Sequence, residues 1–345
     1  MKEALLYEKL NSKLRCNLCY RRCQIELGKT GFCGTRKDID GKLYSLVYGK
    51  IASYSCNPIE KKPFFHFYPG STSFSFSTVG CNFKCLHCQN YDISWAKPGS
   101  VPEFDFTPEL IIKTAKDYAC NGISYTFTEP TVFFEYCYDT GKLAKKAGLN
   151  NNFVTNGYAT PETVKLASEF LDAARIDLKG DEEHYKRVCG GVKLENVLEC
   201  IKNFYKTGMH IEIITLVIPG DNDKKDLVAI FADFLKSLSR DIPWHFTRFY
   251  PCHKMLDVSA TPVATLEKMH DWAKEEGMRY VYIGNVPGHK YENTYCANCN
   301  ELLIQRFSFS VTKINLEKGN RCPKCGEKIP IIGEPKLTRS LWPFG

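Results

Sequence analysis

The stretch CNFKCLHCQN, from Cys81 to Asn90, sets three cysteines, Cys81, Cys85 and Cys88, at the spacing C-x3-C-x2-C with no fourth close behind. A structural zinc site takes four protein ligands, and a disulfide takes two. Three thiolates in one loop leave one corner of a metal site open. In a cubane 4Fe–4S cluster three irons take cysteine and the fourth is free for an exogenous ligand, and short loop spacings of this kind hold such clusters. The residues also permit zinc with water or His87 as the fourth ligand, or three buried thiols.

Outward from this loop the chain alternates short β-branched runs with longer amphipathic ones. The strand candidates are residues 73–79, 122–128, 151–156, 173–179, 210–218, 244–250 and 279–284, and helical patterns such as 108–121, 132–148 and 224–238 lie between them. Repeated strand–helix units predict a parallel sheet. The number of units predicts an α/β fold built on a partial (β/α)6 TIM-type barrel, whose chemistry belongs at the C-terminal ends of the strands. Those ends carry GCNFKC, TEPT, TNGY, DLKG, IPGDND and FYPCHK, which are polar, turn-forming or ligand-bearing.

Two small modules flank the barrel, giving expected boundaries at 1–56, 57–290 and 291–345. In the C-terminal module Cys296 and Cys299 face Cys322 and Cys325 as two CxxC pairs. Paired knuckles at that distance predict a four-thiolate zinc site on a zinc ribbon. In the N-terminal module Cys16, Cys19, Cys23 and Cys33 fall within 18 residues. They predict a metal site holding either zinc or an auxiliary iron–sulfur cluster. Cys56, Cys120, Cys137, Cys189, Cys200 and Cys252 are scattered and read as small buried apolar residues.

The bulk numbers fit this picture. The 345 residues include seventeen cysteines, and clustered thiols in a reducing compartment point to metal rather than disulfides. The formal charge is +7. Two four-thiolate zinc sites and one three-thiolate cluster would remove roughly five of those charges, because ligating thiols are deprotonated, so a nucleic-acid partner is not favoured. No run approaches the roughly 20 apolar residues of a membrane helix, and the charged N-terminus is not a secretion signal. The expected location is cytoplasmic.

The motif, together with NPIEKKPFFHFYPGS (57–71), YTFTEPT (125–131), VTNGY (154–158), DAARIDLKG (172–180), LVIPGDND (216–223) and VYIGN (281–285), resembles radical S-adenosylmethionine (SAM) enzymes. The resemblance covers nearly the whole chain. It points to the AmmeMemoRadiSam system group, related to pyruvate formate-lyase activating enzymes. It implies that Cys81, Cys85 and Cys88 hold the cluster and that SAM binds its open iron. One electron from a flavodoxin- or ferredoxin-type donor then splits SAM, and a 5′-deoxyadenosyl radical abstracts hydrogen from, or adds to, a substrate. It further implies that Phe83 is the motif aromatic, that Thr128 and Glu129 meet the SAM amino group, and that Thr155 and Asn156 lie near the methionyl end. Asp177 and Lys179 are implied at the carboxylate and ribose, and His253 near the adenosine. Val154 stands where the related activases often have aspartate. A protein substrate or partner is implied by the activase relationship, and glycyl radical activation is the alternative reaction. A different class of reading remains: a zinc-stapled binding or electron-transfer module with a degenerate SAM site.

Overall fold

The apolar runs pair side by side in chain order. In a computed structural model, which describes residues 1–338, seven parallel strands are Thr72–Ser77, Gly122–Tyr125, Asn150–Thr155, Ala173–Asp177, His210–Val217, Trp244–Arg248 and Val281–Gly284. Each pairs with the strand before it in the chain, and the order never reverses. All C-terminal strand ends therefore lie on one side. Register is pinned by burial on both faces: Gly122 to Tyr125 and Thr155 are buried, as parallel strands sandwiched between layers require.

The helices between strands begin where the sequence signals. Thr107 accepts a bond from Leu110 N ahead of helix Pro108–Asp117, and Thr160 does the same for Thr163 N ahead of Pro161–Ala167. In both, a capping hydroxyl satisfies an orphan N–H and proline occupies the first turn. Asp181 caps Glu182–Val188 through His184 N.

One strand was not expected. Ser53–Pro58 adds antiparallel to the edge at Thr72–Ser77, so the main sheet begins before residue 57. Its sequence, SYSCNP, has no apolar alternation and ends in proline, which an edge strand tolerates. The next segment, Ile59 to Tyr68, turns inward and is held by a buried polar network. Glu212 accepts from Phe65 N at 3.0 Å and from His66 N at 2.8 Å, and pairs with His210 at 2.9 Å and His245 at 2.7 Å. Arg306 donates to Phe65 O at 2.9 Å and to Thr294 Oγ1 at 2.8 Å. The His66 ring meets Tyr282 Oη at 2.6 Å.

Arg306 belongs to the C-terminal module, an antiparallel sheet of Thr294–Tyr295, Leu302–Phe307 and Ser310–Ile314. At the other end, two three-stranded sheets carry the N-terminal cysteines. They pack beside the Asn156–Thr160 turn: Tyr20 N donates to Tyr158 O at 3.0 Å, and Thr160 N to Leu18 O at 3.2 Å.

Candidate functional site

The strand ends open into a cavity of about 520 Å³. Cys81, Phe83, Cys85, Cys88, Thr128, Glu129, Thr155, Asn156, Asp177 and Lys179 all line it. These residues come from the motif loop and three strand ends that are far apart in sequence.

The cysteine loop is anchored from several sides. Lys84 N and Leu86 N bond Cys189 O and Val188 O at 3.2 and 2.9 Å. Cys88 Sγ meets Ser94 Oγ at 3.1 Å, and Cys252 Sγ donates to Cys88 O at 3.5 Å. Burial raises the Cys81 and Cys88 thiols above their ordinary pKa, and the Glu129 carboxylate pushes Cys81 further. Cys85 is raised first by contact with Cys189 and then by burial. Three buried thiols become thiolates only with a cation to compensate them.

Glu129 sits beside this loop, 3% exposed. Its Oε1 accepts from Thr155 Oγ1 at 2.7 Å and Thr131 Oγ1 at 2.6 Å, and its Oε2 accepts from Asn156 N at 2.8 Å. It also caps the 3-10 turn Pro130–Phe133. Burial outweighs these donors and raises its pKa. Phe127, two residues earlier, has φ 61°, a conformation rare for a bulky residue. Asn90 Nδ2 holds its carbonyl at 2.8 Å. Gly157 is needed after Asn156: its φ is 73°, and a Cβ there would lie 2.7 Å from Ile176 Cγ2.

Asp177 ends its strand, and Lys179, two residues beyond, pairs with it at 2.6 Å. Arg175, two residues earlier on the same face, is bonded to Asp177 and also lines the cavity. Burial would raise the Asp177 pKa, but Arg175 and Lys179 outweigh it and the net shift is downward. Burial works against the Lys179 charge and Asp177 outweighs it, raising its pKa.

His253 does not reach this cavity. It has φ 53°, stacks on Tyr91 at 4.5 Å between ring centroids and lies edge-on to Trp95 at 4.9 Å. Of the neighbouring polar groups on and after the strand Trp244–Arg248, His245 is committed to Glu212, and Tyr250 is exposed. Asn222 is a turn residue, bonding Ile218 N at 2.7 Å and Lys179 O.

Several lining residues were given no role by the sequence. Glu60 and Lys62 come from the inward segment, and Glu292, Ser308 and Phe309 from the C-terminal module. Lys62 is 4% exposed, and burial lowers its pKa to about 7. Cys189 was read as one scattered cysteine. It is fully buried, and its sulfur lies within 4.8 Å of both Cys85 Sγ and a His87 ring nitrogen. Its position depends on how the loop after helix Glu182–Val188 packs, which spacing does not reveal. Of the other scattered cysteines, Cys120, Cys137 and Cys200 are buried, while Cys56 and Cys252 are half-buried.

At the C-terminus all four thiols, Cys296, Cys299, Cys322 and Cys325, lie within 4.8 Å of one another. Cys296–Cys325 and Cys299–Cys322 are each 3.6 Å apart, which matches the tetrahedral spacing around one zinc.

A family model described as the radical SAM superfamily matches residues 75–232. A protein of Methanocaldococcus jannaschii, itself uncharacterised, is 48% identical over 335 residues, covering 96% of this chain and 100% of its own. The chain belongs to the radical SAM superfamily. A pyruvate formate-lyase-activating enzyme of Clostridium pasteurianum is 22% identical over 216 residues, 57% of this chain and 87% of that one. Among solved structures, a radical SAM methyltransferase from Sphaerobacter thermophilus shares the fold, with a TM-score of 0.50 and 13% identity over 64% of this chain and 68% of that one. As a radical SAM protein the chain is an enzyme related to the activating enzymes, and its family implies a 4Fe–4S cluster, SAM and an external reductant. No helix among the described residues is long and apolar enough to cross a membrane.

Proposed function

We propose that Cys81, Cys85 and Cys88 ligate the 4Fe–4S cluster of a partial (β/α)6 barrel and that SAM occupies the adjoining half of the 520 Å³ cavity. The observation that carries this reading is convergence. Ten side chains singled out by the sequence line one cavity, and three of them are thiols from a single loop. The donor set fits a cluster with one open iron. Cys189 backs onto Cys85 from the interior and is not among the lining residues, so the cavity side is left for an exogenous ligand. When bound, the cluster supplies the electron that splits the SAM carbon–sulfur bond to give a 5′-deoxyadenosyl radical.

The remaining work falls to the chain's own groups. Glu129, oriented by Thr155, Thr131 and Asn156, accepts the SAM ammonium; such a charge-assisted bond contributes about 1.5–3 kcal/mol. Lys179 and Arg175, already neutralised in part by Asp177, hold the carboxylate and ribose. Thr128 fixes the strand end through Thr78 O at 2.9 Å. Phe83, 2% exposed, packs behind Cys81. The far half of the cavity, with Lys62, Glu60, Glu292 and Ser308, takes the substrate and keeps water from the radical. The C-terminal module therefore binds zinc through Cys296, Cys299, Cys322 and Cys325 and also walls the substrate space.

We further infer a central segment that begins near Ser53, with a cysteine-rich segment before it and a C-terminal one from 291, an enzyme of the AmmeMemoRadiSam system group, a cytoplasmic location and a flavodoxin- or ferredoxin-type donor. A protein substrate is supported by the relationship to an activating enzyme, and glycyl radical activation is the specific form that relationship favours. The test is anaerobic reconstitution followed by dithionite and SAM. A broad band near 400 nm and release of 5′-deoxyadenosine are expected. Colourless protein that leaves SAM intact would instead favour a zinc-stapled module with a degenerate SAM site. Mixing with candidate glycyl radical proteins and looking for a carbon-centred EPR doublet tests the activase form.

A further inference from the structure

The four N-terminal thiols are spaced differently from the four C-terminal ones. No three of Cys16, Cys19, Cys23 and Cys33 lie within 4.8 Å of one another, whereas all four C-terminal sulfurs do. Tetrahedral zinc with bonds of about 2.3 Å needs sulfurs about 3.8 Å apart. Thiolates on different irons of a cubane stand roughly 6 Å apart, because each caps its own corner. The N-terminal thiols still surround one place. Cys16 N donates to Cys23 O at 3.0 Å, closing the loop that carries Cys19, and Gly31, two residues before Cys33, packs so close that a Cβ on it would lie 3.7 Å from Cys23 Sγ.

Two buried side chains aim unused donors at that place. Asn82 is 1% exposed, and its Nδ2 has no hydrogen-bond partner among the described residues. Its Oδ1 is satisfied by Asn156 Nδ2 at 2.7 Å, which leaves the amide nitrogen as the free end of the side chain. Arg36 is also 1% exposed. Its Nη1 lies 2.6 Å from Glu135 Oε2, but its Nε and Nη2 have no hydrogen-bond partner among the described residues, and its carbonyl accepts from Gly31 N at 2.9 Å, which sets it against the loop that carries Cys33. Buried donors left without acceptors are destabilising, so an acceptor belongs beside them. A single zinc ion would draw the four sulfurs together and away from these donors. A cubane presents sulfide and thiolate sulfurs outward in several directions.

We propose that Cys16, Cys19, Cys23 and Cys33 hold a second 4Fe–4S cluster, with Asn82 and Arg36 donating to its sulfurs. The two cysteine loops are in contact. Gly80, directly before Cys81, has φ 90°, and a Cβ there would lie 2.8 Å from Cys33 O and 2.4 Å from Thr35 Cγ2. Arg21 bonds Asn82 O, and Asn82 Oδ1 is 3.9 Å from Cys81 Sγ. Asn82 thus lies between Cys19 and Cys81. A cluster held there would sit beside the loop of Cys81, Cys85 and Cys88 and could take one electron from a low-potential donor of the flavodoxin or ferredoxin class and hand it to the cluster those three thiols would hold, with no bond made or broken and no proton moved.

The test uses the full chain, reconstituted anaerobically with iron and sulfide in the presence of zinc. The wild type should carry about eight irons and one zinc. The variant Cys81→Ala/Cys85→Ala/Cys88→Ala should keep about four irons and, after dithionite, an S = 1/2 signal that SAM leaves unchanged. Cys19→Ala/Cys23→Ala should keep the SAM-sensitive signal and lose the other. Asn82→Ala should shift the g values of the SAM-insensitive signal. Wild-type protein with four irons and two zincs overturns the proposal without any variant having to fold. A triple variant that folds, keeps two zincs and holds no iron overturns it as well. A triple variant whose spectrum equals the wild type's leaves the N-terminal cluster standing and overturns the assignment of Cys81, Cys85 and Cys88.

Discussion

The C-terminal cysteines and the cysteines at the cavity mouth solve opposite problems. The C-terminal four close on themselves: two tight knuckles carried by a small antiparallel sheet bring every sulfur within 4.8 Å of the rest. The three at Cys81, Cys85 and Cys88 stay spread and open on a large cavity, backed by Cys189, Ser94 and Asn156. A closed four-thiolate set has satisfied its metal and can contribute only stability and shape. An open three-thiolate set keeps one coordination position free, and its value depends on what the rest of the fold brings to that position. The closed site can be completed by local turns, while the open one needs several strand ends.

The sharpest way to break this comparison is to delete one open-set thiol. Cys85→Ala should abolish 5′-deoxyadenosine formation entirely while the C-terminal zinc remains, read by chromatography and by zinc content on the same sample. Next in size is Glu129→Gln, which keeps shape but removes the charge facing the SAM ammonium. SAM affinity should fall about 10- to 100-fold, the equivalent of 1.5–3 kcal/mol, with the iron content unchanged; equilibrium binding measures it. Because burial raises the Glu129 pKa, wild-type binding should weaken as pH falls through that raised value, where the carboxylate takes a proton. The Gln variant should lose that dependence.

The closed site should respond in the other currency. Cys322→Ser should release zinc and lower the melting temperature by roughly 10 °C, as loss of a structural metal uncouples the module from folding. SAM cleavage per folded molecule should fall less than in Cys85→Ala, because the ribbon walls only the far half of the cavity. Equal losses in the two variants would erase the distinction drawn between the sites.

The smallest expected effect tests the joint between them. Glu212 receives the inward segment and two histidines. Glu212→Gln leaves a donor facing donors, a cost of roughly 3 kcal/mol and a melting temperature lower by about 6–10 °C. Burial would raise the Glu212 pKa, but its bonds to His210 and His245 outweigh burial and hold it well below the usual carboxylate range. Its contribution is therefore full above the ordinary glutamate pKa and is lost as pH falls below that toward the native value. Thermal melts between pH 7 and 3 should show a steeper acid loss in the wild type than in the variant.

Sequence alone determined the features that rest on local chemistry. Hydrophobic period gave the strand–helix alternation, since a β-branched run or an amphipathic stretch acts within a few residues of itself. The spacing of Cys81, Cys85 and Cys88, and of the two CxxC pairs, was readable for the same reason: a loop of that length can deliver its sulfurs to one site wherever it is placed. Asp177 and Lys179 came from the resemblance, while Arg175, which lies on the strand and bonds Asp177, was passed over. Tertiary structure decided what no spacing contains. It set Cys189 against Cys85, moved His253 out to an aromatic stack, and turned Glu60 and Lys62 inward to line the cavity. It also left the four N-terminal thiols more widely spaced than the four C-terminal ones. Each of these depends on which distant segments the buried Glu212–Arg306 network and the parallel sheet bring together, and contacts of that range leave no periodic trace in the chain.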